Sequence, residues 1–374
     1  MQFFERVDIL WSSKISAMSS PFFLSRRRFI GHLSTHLALA GSALLSPDSH
    51  AQARAKAQPL ERTKVTLSVD GKSSLSYLPL TIAQQLGYFS AEGLDVQIID
   101  LLDAASATQA LITGVADVCS GAFDRTLQLP TKSQLFQAFV LQGRTPQLAF
   151  GVSTRSLPSV GSADLRSKKV GVIALDSTST VMAKLLLERE GLAPQDVSWV
   201  AVGSSNGALN ALRSGQIDAI CNSDPVMTIL ELKGDIKIVR DARSLRGTSE
   251  LFGGLVPSAC LFAQTEFIQK YPRVCQALTD AIVHSLKWLQ TAGPGDIINT
   301  VPVGYLLGDR GLYLAAFNKI RESISIDGLV LDSGASAALK AHSLYGSTLL
   351  SAKANAGKSY TNEFARRAKI RFQV

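Results

Sequence analysis

The chain has 374 residues, 46% of them apolar and 18% charged. This is the make-up of a globular protein with room for roughly two domains, and it excludes a disordered chain. The net charge is +8, but Lys and Arg are dispersed, with no basic run and no interleaved aromatics, so nothing supports nucleic-acid binding.

Residues 1–53 read as an export address. Ser25-Arg26-Arg27-Arg28-Phe29-Ile30-Gly31 resembles the twin-arginine motif, and a weakly apolar stretch follows over 29–45. That stretch is too short and too polar for a membrane span, which needs about 20 mostly apolar residues. Small-residue cleavage sites come next, at Ser49-His50-Ala51 and Ala51-Gln52-Ala53. Met18 is an alternative start, because residues 1–17 add nothing that a signal requires. Without residues 1–53 the net charge is +6. No cysteine flanks the cleavage site, so no lipid anchor is expected, and the mature chain should be free in the periplasm.

Strand and helix then alternate. Residues 65–69 read as a strand, 72–77 as a Ser-rich loop, and Leu78-Pro79 opens a helix that Gly87 ends. A strand over 95–102, a helix over 106–113 and a strand over 116–120 complete the unit. Such alternation predicts parallel pairing with right-handed crossovers. Residues 148–153 form a strand leaving this first lobe. The order then repeats: strand 169–175, helix 177–190, strand 197–202, helix 207–214, strand 217–221. An extended stretch over 255–263 returns the chain, and two crossings between lobes are what a hinge needs. Beyond Glu266 the pattern is helical. Tyr271-Pro272 starts a long helix carrying Val274, Leu278, Ile282, Leu286 and Leu289 on one face. Two or three further helices are expected to pack around the first lobe.

A repeated phrase supports the two-lobe reading. Ala110-Leu111-Ile112-Thr113-Gly114-Val115-Ala116-Asp117 is echoed by Ala211-Leu212-Arg213-Ser214-Gly215-Gln216-Ile217-Asp218, and Glu92-Gly93-Leu94 by Glu190-Gly191-Leu192. Each long copy runs on to a cysteine, Cys119 or Cys221, and an acid, Asp124 or Asp224. With two copies, each spanning a whole lobe, the repeat points to a clamp around a ligand rather than to a solenoid.

Leu86-Gly87-Tyr88-Phe89-Ser90-Ala91-Glu92-Gly93-Leu94-Asp95-Val96 resembles a signature of the nitrate/sulfonate/taurine-type periplasmic binding proteins. Ala163-Asp164-Leu165 with Lys168-Lys169-Val170-Gly171-Val172, Ser214-Gly215-Gln216-Ile217-Asp218-Ala219, and Asn222-Ser223-Asp224-Pro225 are similar to further stations of that family. The resemblance covers residues 65–290. It implies a two-lobed α/β fold of the type II binding-protein kind, with a mostly parallel sheet in each lobe and a two-strand hinge. It also implies a small solute delivered to the membrane permease of an ABC importer. Related sequences include thiamine-pyrimidine synthases, whose cysteine-rich iron motif is missing here. The expected segments are a first lobe over 63–152, a second over 153–257, and a return over 258–374. A monomer without cofactor or metal is expected.

Ligands of open parallel sheets bind beyond the carboxyl ends of the strands. Five loops qualify, and they supply the candidate contacts. These are Ser74, Ser76 and Tyr77; Ala104 and Ser106; Gly121, Phe123 and Asp124; Ser177, Thr178 and Ser179; and Ser205 and Asn206, beside Asn222 and Asp224. Ser177, Thr178 and Ser179 at a helix start fit an oxyanion such as sulfonate or carboxylate, or else cap their own helix. Acids at strand ends (Asp103, Asp124, Asp176, Asp224) fit a cationic, pyrimidine-type solute instead. Arg125 and Arg144 are placed either to neutralise an aspartate or to grip a carboxylate. Cys119, Cys221, Cys260 and Cys275 are expected as buried free thiols, with Cys260–Cys275 the one pair worth testing. A desulfinase-like enzyme using Cys119 or Cys221 needs a base, and the mature chain holds two histidines, His284 and His342, both in its helical end. A sensor partner that feeds a receptor would use the same pocket.

Overall fold

The computed structural model describes residues 58–101, 103–127, 135–157, 165–306, 308–346 and 355–374. The export segment and its cleavage sites lie outside them. The first lobe opens with β1 (Lys64–Asp70), α1 (Leu78–Gln85), α2 (Tyr88–Ala91), β2 (Asp95–Leu101), α3 (Ala104–Ile112), β3 (Val118–Ala122) and β4 (Phe136–Leu141). The second holds β5 (Leu148–Ser153), β6 (Lys169–Val172), α4 (Thr178–Arg189), β7 (Ser198–Ala201), α5 (Asn206–Arg213), β8 (Ala219–Ser223), α6 (Val226–Leu232), β9 (Ile236–Asp241) and α7 (Leu245–Phe252). The return strand β10 (Ala259–Gln264) leads into α8 (Thr265–Lys270), α9 (Pro272–Thr291), α10 (Pro294–Thr300), α11 (Arg310–Ile320), α12 (Asp332–Tyr345) and α13 (Glu363–Phe372).

Two five-stranded sheets result, ordered β2-β1-β3-β10-β4 and β7-β6-β8-β5-β9. In each, three strands pair in parallel, as the strand–helix alternation predicts. The fourth strand in each sheet runs antiparallel and enters directly after a crossing between the lobes: β10 sits between β3 and β4, and β5 between β8 and β9. The sheets are therefore mixed. Edge strands β4 and β9 have no counterpart in the sequence reading. Phe136-Gln137-Ala138-Phe139-Val140-Leu141 is almost wholly buried and so lacks alternation, while Ile236–Asp241 is short and follows a helix directly.

Residues 142–147 and 253–258 carry the chain between the lobes. They pair with each other: Gln142 N and Gly143 N donate to Ala259 O at 2.8 and 3.1 Å, and Ser258 N donates to Gly143 O at 2.9 Å. A third extended segment joins them from the helical end, with Arg144 N donating to Ser323 O and Ser325 N to Gln142 O, both at 2.8 Å. The hinge thus has a third member that the expected pair of crossings lacks.

The repeated phrase has one structural cause. Asp117 and Asp218 follow corresponding helices and cap corresponding strands. Asp117 Oδ2 accepts from Thr66 N at 2.8 Å and Asp218 Oδ2 from Lys169 N at 3.0 Å. The backbone N–H of each acid returns a bond of 2.8 Å to the same residue's carbonyl. Gly114 and Gly215 just before them stand at φ +74° and +77°, the left-handed turn that ends α3 and α5. A Cβ at Gly215 would meet nothing within 4 Å, so only backbone strain opposes it. Gly215→Ala should therefore cost about 1–2 kcal/mol in a urea titration. A loss beyond about 3 kcal/mol, or none, would contradict this account.

All five predicted apolar residues of the long helix are buried in α9, against β4 and the first-lobe core. The remaining helices do not keep to that lobe. α11 packs on α6 and α12 on α4, both in the second lobe, so the helical end straddles the two halves.

Candidate functional site

The carboxyl ends of β1, β2, β3, β6, β7 and β8 face one another across a cleft of about 500 Å³, floored by Pro146, Leu148, Ser258 and Ala259 at the crossings. Of the residues predicted from sequence, Ser74, Ser76, Tyr77, Ala104, Asp124, Ser177, Thr178 and Ser179 line it. Asp70, Gly71, Asp103, Arg125, Ile173, Ala174, Asp176, Gly203, Ser204 and Ser223 join them. Asp70, the last residue of β1, was missed because that strand was read as ending at residue 69 with no site loop beginning there, while Ser223, the last residue of β8, lies between the predicted Asn222 and Asp224. Ser204 was missed by one residue.

The other predicted contacts lie elsewhere, each for a packing reason. Phe123 is fully buried against Leu127, Phe262 and Val330. Gly121 is a β3 residue whose Cβ would come within 3.0 Å of Phe262 and 3.2 Å of Cys119. It serves close strand packing rather than a ligand. Ser106 is exposed outside the cleft, its N–H donating to Asp103 Oδ1 at 2.7 Å. Ser205 and Asn206 are exposed at the start of α5. Asn222 is buried and ties its strand to the neighbouring loop, Nδ2 donating to Gly203 O at 2.8 Å. Asp224 is 1% exposed and accepts from Thr228 N at 2.8 Å, with Arg243 Nη1 3.3 Å from its Oδ2. Burial pushes its carboxyl upward against the pull of Arg243. Arg144 spends its guanidinium on Glu322 O and lies on a separate groove of about 570 Å³.

The three hydroxyls expected to meet an oxyanion are engaged within the protein. Ser177 Oγ donates to Ala174 O at 2.7 Å, Ser179 Oγ accepts from Ile173 N at 3.0 Å, and Thr178 Oγ1 donates across the cleft to Asp124 Oδ2 at 2.8 Å. Arg125 also crosses the cleft, Nη1 donating to Asp176 Oδ2 at 2.7 Å, while its Nε lies 3.9 Å from Asp124 Oδ1. Burial alone would depress this guanidinium, but Asp124 and Asp176 hold it above its ordinary value. The Arg125 hydrogen bond in turn lowers Asp176. Asp70 behaves differently. Burial pushes its carboxyl up to about 6, although Tyr77 Oη donates to it at 2.6 Å. Among the described residues Asp124 Oδ1 is buried and finds no hydrogen-bond partner.

All four cysteines are free and buried. Burial pushes the Cys119 and Cys275 thiols up to about 12, and raises Cys221 and Cys260 as well. His284 stacks between Tyr88 and Phe372, with ring centroids at 3.8 and 5.0 Å. His342 lies in the helical end as expected, on α12, and that helix brings it 3.5 Å from Asp124 Oδ2. Among the described residues no group of His, Cys, Asp and Glu is placed to hold a metal, and no helix is long and apolar enough to cross a membrane.

Two outcomes check these assignments. A thiol reagent should modify almost nothing in the native chain and all four cysteines once it is denatured; fast native reaction would refute their burial. Arg243→Ala should lose about 3–5 kcal/mol in a denaturant titration, because it strands buried Asp224. A loss under about 1 kcal/mol would show that the pair is not needed.

No curated protein sequence matches the chain significantly. Among solved structures, one from Bordetella bronchiseptica RB50 is 47% identical, covering 85% of this chain and all of its own, with a TM-score of 0.80. A putative periplasmic sulfonate-binding protein of an ABC transporter from Methylobacillus flagellatus KT is 17% identical over 84% of this chain and 96% of its own, TM-score 0.62. The periplasmic nitrate-binding protein from Synechocystis PCC 6803 is 14% identical over 85% and 91%, TM-score 0.68. A desulfurization enzyme has the same fold at 16% identity over 83% and 100%, TM-score 0.58. These last three likenesses establish the fold, a two-lobed periplasmic binding-protein architecture. The family model described as NMT1/THI5 like matches residues 75–292, most of both lobes, and the chain belongs to that family.

Proposed function

We propose that this chain is the solute-capturing component of an ABC importer, closing two lobes over one small organic solute. The cleft carries this reading. Strand ends of both sheets and the hinge between them enclose one space of about 500 Å³, the size of a small-molecule site. A closed form that a permease can read, residence in the periplasm, export through Arg26-Arg27 and a monomeric state belong to the same proposal.

The charge of the solute divides two readings. An organic anion suits the sulfonate- and nitrate-binding neighbours, and α3 and α4 both start at the cleft. The side chains favour a solute with an ammonium or other N–H donor. Asp70, Asp103, Asp124 and Asp176 line the cleft with Arg125, the one Arg or Lys among the described lining residues, and Arg125 is already held by two of them. We take the N–H donor as the first reading and the oxyanion as the second. A cysteine-dependent enzyme has less support, since the Cys119 and Cys221 thiols are buried and raised.

A thermal-shift screen decides between them, using the full chain unfolded and refolded to strip carried-over solute. The panel holds organic amines, cationic pyrimidines, alkyl and aryl sulfonates, nitrate and aromatic carboxylates. A binder at a hundredfold its Kd adds about 2.7 kcal/mol. The expected result is stabilisation by an amine or cationic pyrimidine, lost in Asp70→Asn. Its affinity should rise from pH 5 to 7, as Asp70 gives up its proton near pH 6 and becomes an anion. Stabilisation by a sulfonate, lost in Ser177→Ala with Thr178→Ala, would establish the second reading. No shift by any compound, with turnover of a substrate that Cys119→Ala or Cys221→Ala abolishes, would refute transport.

A further inference from the structure

Helix α12 touches both halves of the molecule. Its Ala335 and Ala338 pack into the first-lobe cluster that holds Phe123 and Leu127. Its far end lies on α4 of the second lobe, where Lys184 Nζ donates to Tyr345 O at 3.2 Å and Tyr345 Oη donates to Glu188. Between these anchors His342, 4% exposed, places Nε2 at 3.4 Å from Thr178 Oγ1 and 3.5 Å from Asp124 Oδ2. The Thr178 hydroxyl donates its own hydrogen bond to Asp124. A neutral imidazole with its proton on Nε2 therefore finds two acceptors there, one from each lobe.

We infer that His342 is a positioning residue of the cleft: through Asp124 and Thr178 it couples helix α12 to the closed arrangement of the lobes, and its protonation loosens that arrangement. This rests on the reading that closure captures the solute. Both partners line the cleft, so the junction fixes two of its walls relative to each other. The charged groups around it are Asp124 and Arg125 on the turn after β3, with Asp176 joined to Arg125. Lys184 and Glu188 lie on α4, exposed Lys340 on α12 itself, and Lys358 on the turn packed against α12. Burial holds His342 below the ordinary imidazole range, with Arg125 acting the same way and Asp124 opposing. A base held down in the closed form favours that form while neutral. The advantage is lost as pH falls through the ordinary histidine value near 6.5, at most about tenfold in the closed-to-open ratio per pH unit for one proton.

The test is a distance between lobes measured by pulsed dipolar spectroscopy on the full chain without added solute. Labels go on Gln109→Cys of α3 and Asn210→Cys of α5, both exposed, while the four native thiols are buried. The expected result is a population at short distance that is largest at pH 8 and gives way to a longer one below about pH 6.5. His342→Gln, which keeps a hydrogen-bonding group but does not titrate, should show the same distribution at every pH. An unchanged pH response in His342→Gln, or no response in the parent, would overturn the inference. Because no solute is present, the result is independent of the solute screen, which can fail while the junction stands.

Discussion

Each sheet takes in, beside its parallel strands, the strand that enters it directly from a crossing between the lobes. β10 is inserted between β3 and β4, and β5 between β8 and β9. The first sheet is not complete until the chain has crossed, built the second lobe and returned as β10, whereas the second is contiguous from β5 to β9. The crossings are therefore built into the two cores rather than strung between finished domains. They also lie beside the carboxyl ends of the parallel strands, where loops converge and helices begin. The place of the cleft and its floor follow from those crossings. The third extended segment, around Ser323 to Ser325, adds to it by pairing with the first crossing and reaching Arg243 O of the second lobe through Ser323 Oγ.

The cleft's chemistry is dominated by acids held in different states by their surroundings. Asp103 spends its charge on capping α3, and Asp176 on Arg125. Asp70 is pushed toward neutrality by burial. Asp124 is shared among Thr178, Arg125 and His342, yet one of its oxygens finds no hydrogen bond among the described residues. Leaving a buried carboxylate oxygen unmatched costs free energy, and a donor arriving in the cleft recovers it. Arg125 is bound by acids from both lobes, so an oxyanion would have to displace Asp176 before it could be gripped. These two features weigh toward the same kind of solute.

The fold was legible in the sequence because its repeat is physical. Asp117 and Asp218 recur where a side-chain carboxylate must close the gap between a helix end and a strand start, and Gly114 and Gly215 where the backbone must turn left-handed. The extended segments that became β5 and β10 were legible, but not their antiparallel places inside the sheets, nor the edge strands β4 and β9. A strand's partner depends on crossings hundreds of atoms away, and β4 carries too little alternation to show as a strand. At the site, the loops were found but not the direction of individual side chains. Phe123 and Asp124 are neighbours, one wholly in the core and the other on the cleft. Asp224, the counterpart of Asp124 in the echo, is buried against Arg243, a residue 19 positions on that no local pattern connects to it. His342 needed the tertiary path of α12 to bring it beside Asp124.

The proposed capture requires that one small solute be held between the lobes. The most direct measurement is a crystal structure of the protein with whichever compound stabilises it most. The account predicts density for that compound in the cleft, in contact with both Asp70 or Asp124 of the first lobe and the loop from Ala174 to Ser179 of the second. Density in the groove beside Arg144, with the cleft holding only solvent, would contradict it.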